Sequence, residues 1–247
     1  MLTQQTINKL SVMKLNGMSK GFEEQLSSAA AQGLSFEERF GMLVDQEQTF
    51  RENQRLKRLL KTAKLKANAC VEDIDYSHNR GLDKAQMAYL NSSDWIRQGF
   101  NLILTGPTGC GKTWIACALG NQACRHGLSV LFQRVPLMLE ELQLGHADGS
   151  FRKRLMTLAK VDLLILDDFG AATLNAQNRG DLLEVIDSRS GGKATAITSQ
   201  IQVELLHDYL SGGNPTMADA ILDRLVSGAL RINLRGDSMR KLRTLKP

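Results

Sequence analysis

Residues 100–120 read FNLILTGPTGCGKTWIACALG: an apolar run, a glycine-rich turn, then a helical pattern. The turn, Gly106-Pro107-Thr108-Gly109-Cys110-Gly111-Lys112-Thr113, satisfies G-x-x-x-x-G-K-[ST] at every position, between a strand and a helix as a P-loop requires. Its glycines let the backbone curl until successive N–H groups point inward and cradle a phosphate. The helix that opens at Lys112 adds the positive end of its dipole. In such a loop the lysine, here Lys112, reaches the β- and γ-phosphates, and the hydroxyl of Thr113 ligates magnesium. ATP with Mg²⁺ is therefore the expected cofactor pair, and Gly106 to Thr113 the expected nucleotide-binding residues.

Working outward from this stretch, short apolar runs alternate with helical patterns. FNLILT (100–105), SVLFQR (129–134), VDLLIL (161–166), ATAITS (194–199) and LRINL (230–234) read as strands. Helical patterns lie near 112–125, 136–144, 151–159, 176–189 and 217–227. Such alternation predicts an α/β domain over 99–247, with a parallel sheet between helices. LLILDDFG (163–170) is a buried strand whose end delivers Asp167 to the magnesium, the Walker B role. Asp168 is expected to face the attacking water as general base; the bland alternative is a loop cap. The strand ending Thr198-Ser199-Gln200 is expected between the other two, with Ser199 as a γ-phosphate sensor or as a plain strand-end turn. Arg224, in ADAILDRLV (218–226), either forms an internal ion pair with Asp223 or a neighbour, or projects into the next subunit to stabilise γ-phosphate charge.

The first 66 residues read as an all-helical N-terminal domain, and 67–98 as a linker with one helix ending near Trp95. Leu15, Met18, Phe22 and Leu26 stripe one helix face. Ser35 and Glu38 have the spacing of a capping box that opens a second helix. Phe36, Phe40, Leu43 and Phe50 hold that helix's apolar face, with Glu47 skipped. The helix then turns cationic: Arg51, Arg55 and Arg58 form one row, Lys57, Lys61 and Lys64 another, with Lys66 beyond. Leu56, Leu59, Leu60 and Ala63 supply a buried side. Residues 51–66 and 224–247 each carry six net positive charges, although the whole chain carries only +5. Positive charge concentrated in patches is the footprint of a polyanion-binding protein, and here duplex DNA is the expected polyanion. Arg152, Lys153 and Arg154 are the next candidates for DNA contact.

Several classes are excluded. No apolar stretch approaches the length needed to span a bilayer, and MLTQQTINKL lacks the apolar core of a signal peptide. Cys70, Cys110, Cys117 and Cys124 form no C-x-x-C pair, so reduced thiols and a cytoplasmic location are expected. His78, His126, His146 and His207 lack metal-ligand spacing. Trp95 is expected to pack at the domain junction, with adenine stacking as the alternative.

The motifs together resemble a known family. GPTGCGKTWIACAL, LLILDDFG, AITSQ, ADAILDRL and GDSMRK are similar to the AAA+ ATPases of the IstB/DnaC group. INKLSVMKLNGMSKGFEEQL, LSFEERFGMLVDQE and DIDYSHNRGLDK resemble the IstB-type transposition helpers of bacterial insertion sequences. The resemblance implies a P-loop AAA+ ATPase that binds double-stranded DNA as a homo-oligomer with ATP at subunit interfaces. It further implies recruitment and stimulation of a cognate transposase of the IstA type. It matches Arg224 to the arginine finger, Ser199 to sensor 1, and Arg240 to a C-terminal arginine that approaches the nucleotide. One departure is Asp168, where most AAA+ proteins carry glutamate. The shorter side chain withdraws the carboxylate by about 1.5 Å, which predicts slow hydrolysis. The competing readings are a DnaC-like replicative helicase loader, which would prefer single strands, and a small-molecule P-loop kinase.

Overall fold

The structure is a computed structural model in which residues 2–77, 80–236 and 238–239 are described. It divides into two compact units, Met1–Arg58 and Leu59–Pro247.

The first unit is helical: α1 (Leu2–Val12), α2 (Asn16–Ser27), α3 (Ala29–Gln32) and most of α4 (Phe36–Ala63), which runs on into the second unit. The capping box forms, with Ser35 N–H donating to Glu38 Oε2 at 2.8 Å and Glu38 N–H donating to Ser35 Oγ at 3.3 Å. The α2 helix buries Gly17, Ser19 and Gly21, whereas Leu26 of the expected stripe is 51% exposed. Small residues win because α2 lies hard against α4: a Cβ at Gly17 would stand 2.6 Å from Glu47 Cα. Glu47, a charged residue within the apolar face of α4, is buried. Its Oε2 accepts the N–H groups of Gly17 (2.7 Å) and Met18 (3.1 Å) at the start of α2, and Arg51 Nε pairs with its Oε1 at 2.6 Å. A carboxylate there satisfies helix-terminal N–H groups that would otherwise be orphaned.

The second unit continues with α5 (Lys84–Asn91), α6 (Asp94–Arg97), β1 (Leu102–Thr105), α7 (Lys112–Arg125), β2 (Val130–Arg134), α8 (Val135–Asp148), α9 (Phe151–Lys160), β3 (Leu163–Phe169), α10 (Ala176–Asp187), β4 (Ala194–Ser199), α11 (Leu206–Ser211), α12 (Pro215–Val226) and β5 (Leu230–Asn233). The five strands form one parallel sheet in the order β2-β3-β4-β1-β5, so β4 does lie between the P-loop strand and the Asp167 strand. Strand side chains alternate between its faces. Ile103, Leu164, Leu166 and Ile197 enter a core with Met138, Leu142, Leu182, Val185, Ile221 and Leu225. Leu102, Leu104, Leu163 and Ile165 are fully buried and belong to the opposite face, where α7 packs. Gly120 lets α7 sit close, since a Cβ there would come 2.9 Å from Ile165 Cδ1. The stretch 67–98 joins this unit, with Trp95 wholly buried and its Nε1–H donating to Leu90 O at 3.0 Å. That packing leaves no face of Trp95 for adenine. Among the described residues, no helix is long and apolar enough to cross a membrane.

Candidate nucleotide site

The C-terminal ends of β1, β3 and β4 meet at the P-loop, the place where parallel α/β sheets bind ligands. Gly106 and Gly109 adopt φ of 144° and 84°. A side chain at Gly106 would strike Leu234 O, and one at Gly109 would strike Ser238. The chain after β5 is fastened here, with Leu234 N–H donating to Thr105 O at 2.8 Å and Met239 N–H to Gly109 O at 3.0 Å. The Lys112 ammonium donates to Gly106 O (2.7 Å) and Pro107 O (2.9 Å), which holds it inside the curled loop. Cys110 is buried beneath the loop. Thr113 Oγ1 donates to Asp167 Oδ1 at 2.7 Å, so hydroxyl and carboxylate converge although 54 positions separate them. That oxygen-only pair is a donor set suited to a hard divalent cation.

Asp167 has no solvent exposure. Its Oδ1 also accepts the Thr198 hydroxyl at 2.6 Å, and its Oδ2 faces Lys66 Nζ at 3.4 Å. Asp168 differs. It lies at a register shift between Leu166 and Phe169, with φ of 58°, left-handed for a residue with a Cβ. Such a conformation costs about 1–3 kcal/mol and is found disproportionately at functional sites. Its N–H donates to Thr198 Oγ1 at 3.2 Å, and its Oδ2 pairs with Arg134 Nε at 2.9 Å. Arg134 ends β2, which borders β3 on the side away from β4 and β1. The Asp168 carboxylate is thus turned from the P-loop side of the sheet and held by an arginine that sequence reading missed. The available signal was a cation at the end of a strand flanking the DD strand.

Ser199 takes the strand-end turn of its two readings. Its hydroxyl donates to Phe169 O at 2.7 Å and accepts from Ile201 N–H at 3.0 Å, a strand-end turn. The neighbours on either side reach the site: Thr198 touches Asp167, and Gln200 Oε1 accepts the hydroxyl of the P-loop residue Thr108 at 2.7 Å. Period-two alternation explains this. Thr198 shares a face with Leu102, Leu104 and Asp167, while Ser199 points with Ile197 to the other.

Within one chain Arg224 takes the internal pairing, with Nε 2.7 Å from Asp187 Oδ1 and Nη1 donating to Ala220 O at 2.9 Å. It lines a polar cleft of about 90 Å³ with Asn101, Arg189, Lys193 and Thr195, at the N-terminal ends of β1 and β4. The P-loop is at the opposite ends of these strands, so Arg224 cannot serve its own chain's nucleotide. Arg189 in that cleft is a brace: its guanidinium donates to the carbonyls of Leu158, Ala159, Val161 and Ala194 and to Thr195 Oγ1. Burial pushes its pKa down to about 10. Arg240 lies outside the described residues, as does His78.

Of the cations considered for DNA, Arg51, Arg55, Lys57, Arg58, Lys61 and Lys64 are all exposed on or just beyond α4, while Leu56, Leu59 and Leu60 are half-buried and Ala63 is buried. Arg51 is tied to Glu47. On α9, Arg152 and Lys153 are exposed, but Arg154 is drawn onto Ser150 Oγ (2.7 Å) and Asp148 Oδ2 (3.2 Å) and braces the start of that helix.

Residues 8–246 match the family model described as IstB-like ATP binding protein. The chain belongs to the IstB-like ATP-binding proteins. Among relatives, the ATP-binding protein of insertion sequence IS1162 from Pseudomonas fluorescens is 54% identical over 202 residues, covering 81% of this chain and 87% of that one. The insertion sequence ATP-binding protein y4pL of Sinorhizobium fredii is 47% identical, covering 98% of each chain. Solved structures share the fold: DnaI (TM-score 0.60, 23% identity, 68% of this chain and 92% of that one) and the DnaC helicase loader (TM-score 0.57, 22% identity, 70% and 100%). DnaA bound to AMPPCP and single-stranded DNA also matches, with TM-score 0.55 and 16% identity over 73% of this chain and 56% of that one. This IstB-family chain is accordingly an ATP-binding P-loop protein that shares its fold with those structures.

Proposed function

We propose that this IstB-family ATPase assembles on duplex DNA as an ATP-dependent homo-oligomer and there recruits and stimulates the transposase of its insertion sequence. The observation that carries the reading is the cationic side of α4. Arg55, Lys57, Arg58 and Lys61 meet solvent on a helix whose Leu56, Leu59 and Leu60 are half-buried, and Lys64 continues the run. Phosphate contacts from such a row release condensed counterions and carry no base identity, which suits a helper of insertion at many sites. The names of the curated relatives place them in insertion sequences, which supports the transposase as partner.

Mg²⁺ would be held by Thr113 and Asp167, and when bound it neutralises charge on the β- and γ-phosphate oxygens. Lys112 exchanges its two loop carbonyls for phosphate. Asp168 leaves Arg134 and accepts a proton from the attacking water. Arg224 acts in trans, because its place at the far end of the strands denies it the nucleotide of its own chain.

Replacing Arg55, Arg58 and Lys61 together by alanine tests the DNA reading. Affinity should fall equally on unrelated duplexes, and the salt slope should flatten by about 0.9 per lost contact. ATP binding should persist. Unchanged duplex binding at every salt concentration would reduce this row to a solvated face, and a preference for single strands would favour a helicase loader. For Arg224, mixing Arg224→Ala with Lys112→Ala subunits should restore part of the hydrolysis that each lacks alone.

A further inference from the structure

We propose that Arg80 is a second fixed cation of the nucleotide site, pairing with the phosphate chain of the bound nucleotide from the opposite end of the P-loop to Lys112. Arg80 precedes β1 and lies outside every motif of the loop, yet its guanidinium is at the loop. Nη1 donates to Cys110 O at 3.3 Å, and a Cβ at Gly111 would stand 3.1 Å from the same nitrogen. Nη2 donates to Asp75 O at 2.6 Å. The backbone is anchored as well, since Arg80 O accepts Arg235 N–H at 2.9 Å just beyond β5. Gly81 follows with φ of 78° and no room for a side chain against Asn233 O. The guanidinium is therefore placed from both ends.

Arg80 is only 7% exposed, and among the described residues no carboxylate lies within ion-pair distance. Its Nε is buried without a hydrogen-bond partner. A buried guanidinium normally has an anion to offset its desolvation, and two carbonyl oxygens supply dipoles but no charge. The contrast with Arg189 is informative, because in that buried arginine every guanidinium nitrogen has a partner, four carbonyls and a hydroxyl in all. Arg80 leaves its Nε–H without a partner beside the P-loop. Lys112 holds the carbonyls of Gly106 and Pro107 at the start of the loop, and Arg80 holds that of Cys110 near its end. The two cations bracket the curled N–H groups.

The test is ADP titration of the full chain by calorimetry, with R80Q and R80K, together with a crystal structure of the parent chain with ADP. R80Q should weaken ADP about tenfold or more, the effect of removing a charge-assisted bond to phosphate. It should leave adenosine binding unchanged. R80K keeps the charge but loses the fork, so it should bind ADP within about threefold of the parent. If R80K loses as much affinity as R80Q, Arg80 is a brace for the Cys110 carbonyl and the proposal fails. Should R80Q not fold, R80K and the parent complex decide. An Arg80 nitrogen within hydrogen-bond distance of an ADP phosphate oxygen supports the proposal, and an Arg80 still confined to Cys110 and Asp75 overturns it.

Discussion

Lys66 Nζ lies 3.4 Å from Oδ2 of Asp167, so the last cation of the basic run is the ion-pair partner of a carboxylate near the end of β3. Asp167 is fully buried and Lys66 about half exposed, which makes the carboxylate the group that needs the pair. Lys66→Ala should lower the unfolding free energy by roughly 1–2 kcal/mol without divalent cation, and added Mg²⁺ should restore most of it. Urea denaturation with and without Mg²⁺ reads both effects. Equal stability of parent and variant without Mg²⁺ would show that the two hydroxyl donors suffice for Asp167.

The Arg134–Asp168 pair makes a prediction of opposite sign to its partner's. Asp168→Asn removes the proposed base and should cut ATP turnover by about 10²-fold or more while ADP still binds. Arg134→Ala frees the same carboxylate and should raise basal turnover severalfold in the absence of DNA, as expected if release of Asp168 limits the rate. A fall in Arg134→Ala as deep as that in Asp168→Asn would make the arginine a participant in the chemistry.

Thr198 and Ser199 separate by face. Thr198→Val removes a donor to Asp167 and the acceptor for Asp168 N–H, and should slow turnover about tenfold or more with little effect on ADP affinity. Ser199→Ala breaks the bonds to Phe169 O and Ile201 N–H. It should cost about 1–2 kcal/mol of stability and leave turnover per folded molecule close to the parent's. Steady-state kinetics beside thermal melts distinguish them, and a reversed pattern would restore Ser199 as the sensor.

Glu47 ties the helical unit to acidity. Burial alone would raise its carboxyl, but the Arg51 guanidinium and the N–H groups of Met18 and Gly17 outweigh that and hold it below the ordinary glutamate range. The stability it contributes is therefore fully present above the unfolded value, about 4.3, and is lost as pH falls below it through the lowered native value. Glu47→Gln should destabilise the unit by about 1–3 kcal/mol at pH 7, with the gap closing towards pH 3. A gap of the same size at both pH values would mean that shape, not charge, holds α2 on α4.

Much of this protein was legible from local pattern alone. The P-loop, the five strands and the paired aspartates each depend on residues adjacent in sequence, where spacing dictates which groups a turn or strand end presents. The capping box at Ser35 and the cationic rows of α4 are local in the same way, and the structure has both. What only the tertiary structure decided are pairings across the sheet and between helices. Lys66 meets Asp167 across 101 positions, and Arg134 meets Asp168 across 34. Arg80 reaches Cys110 from outside the sheet, and Arg224 finds Asp187 rather than Asp223. Buried charge is the common cause. A charge removed from water must find a partner or a ligand, and which one it meets depends on strand order and helix placement, which no window of sequence contains.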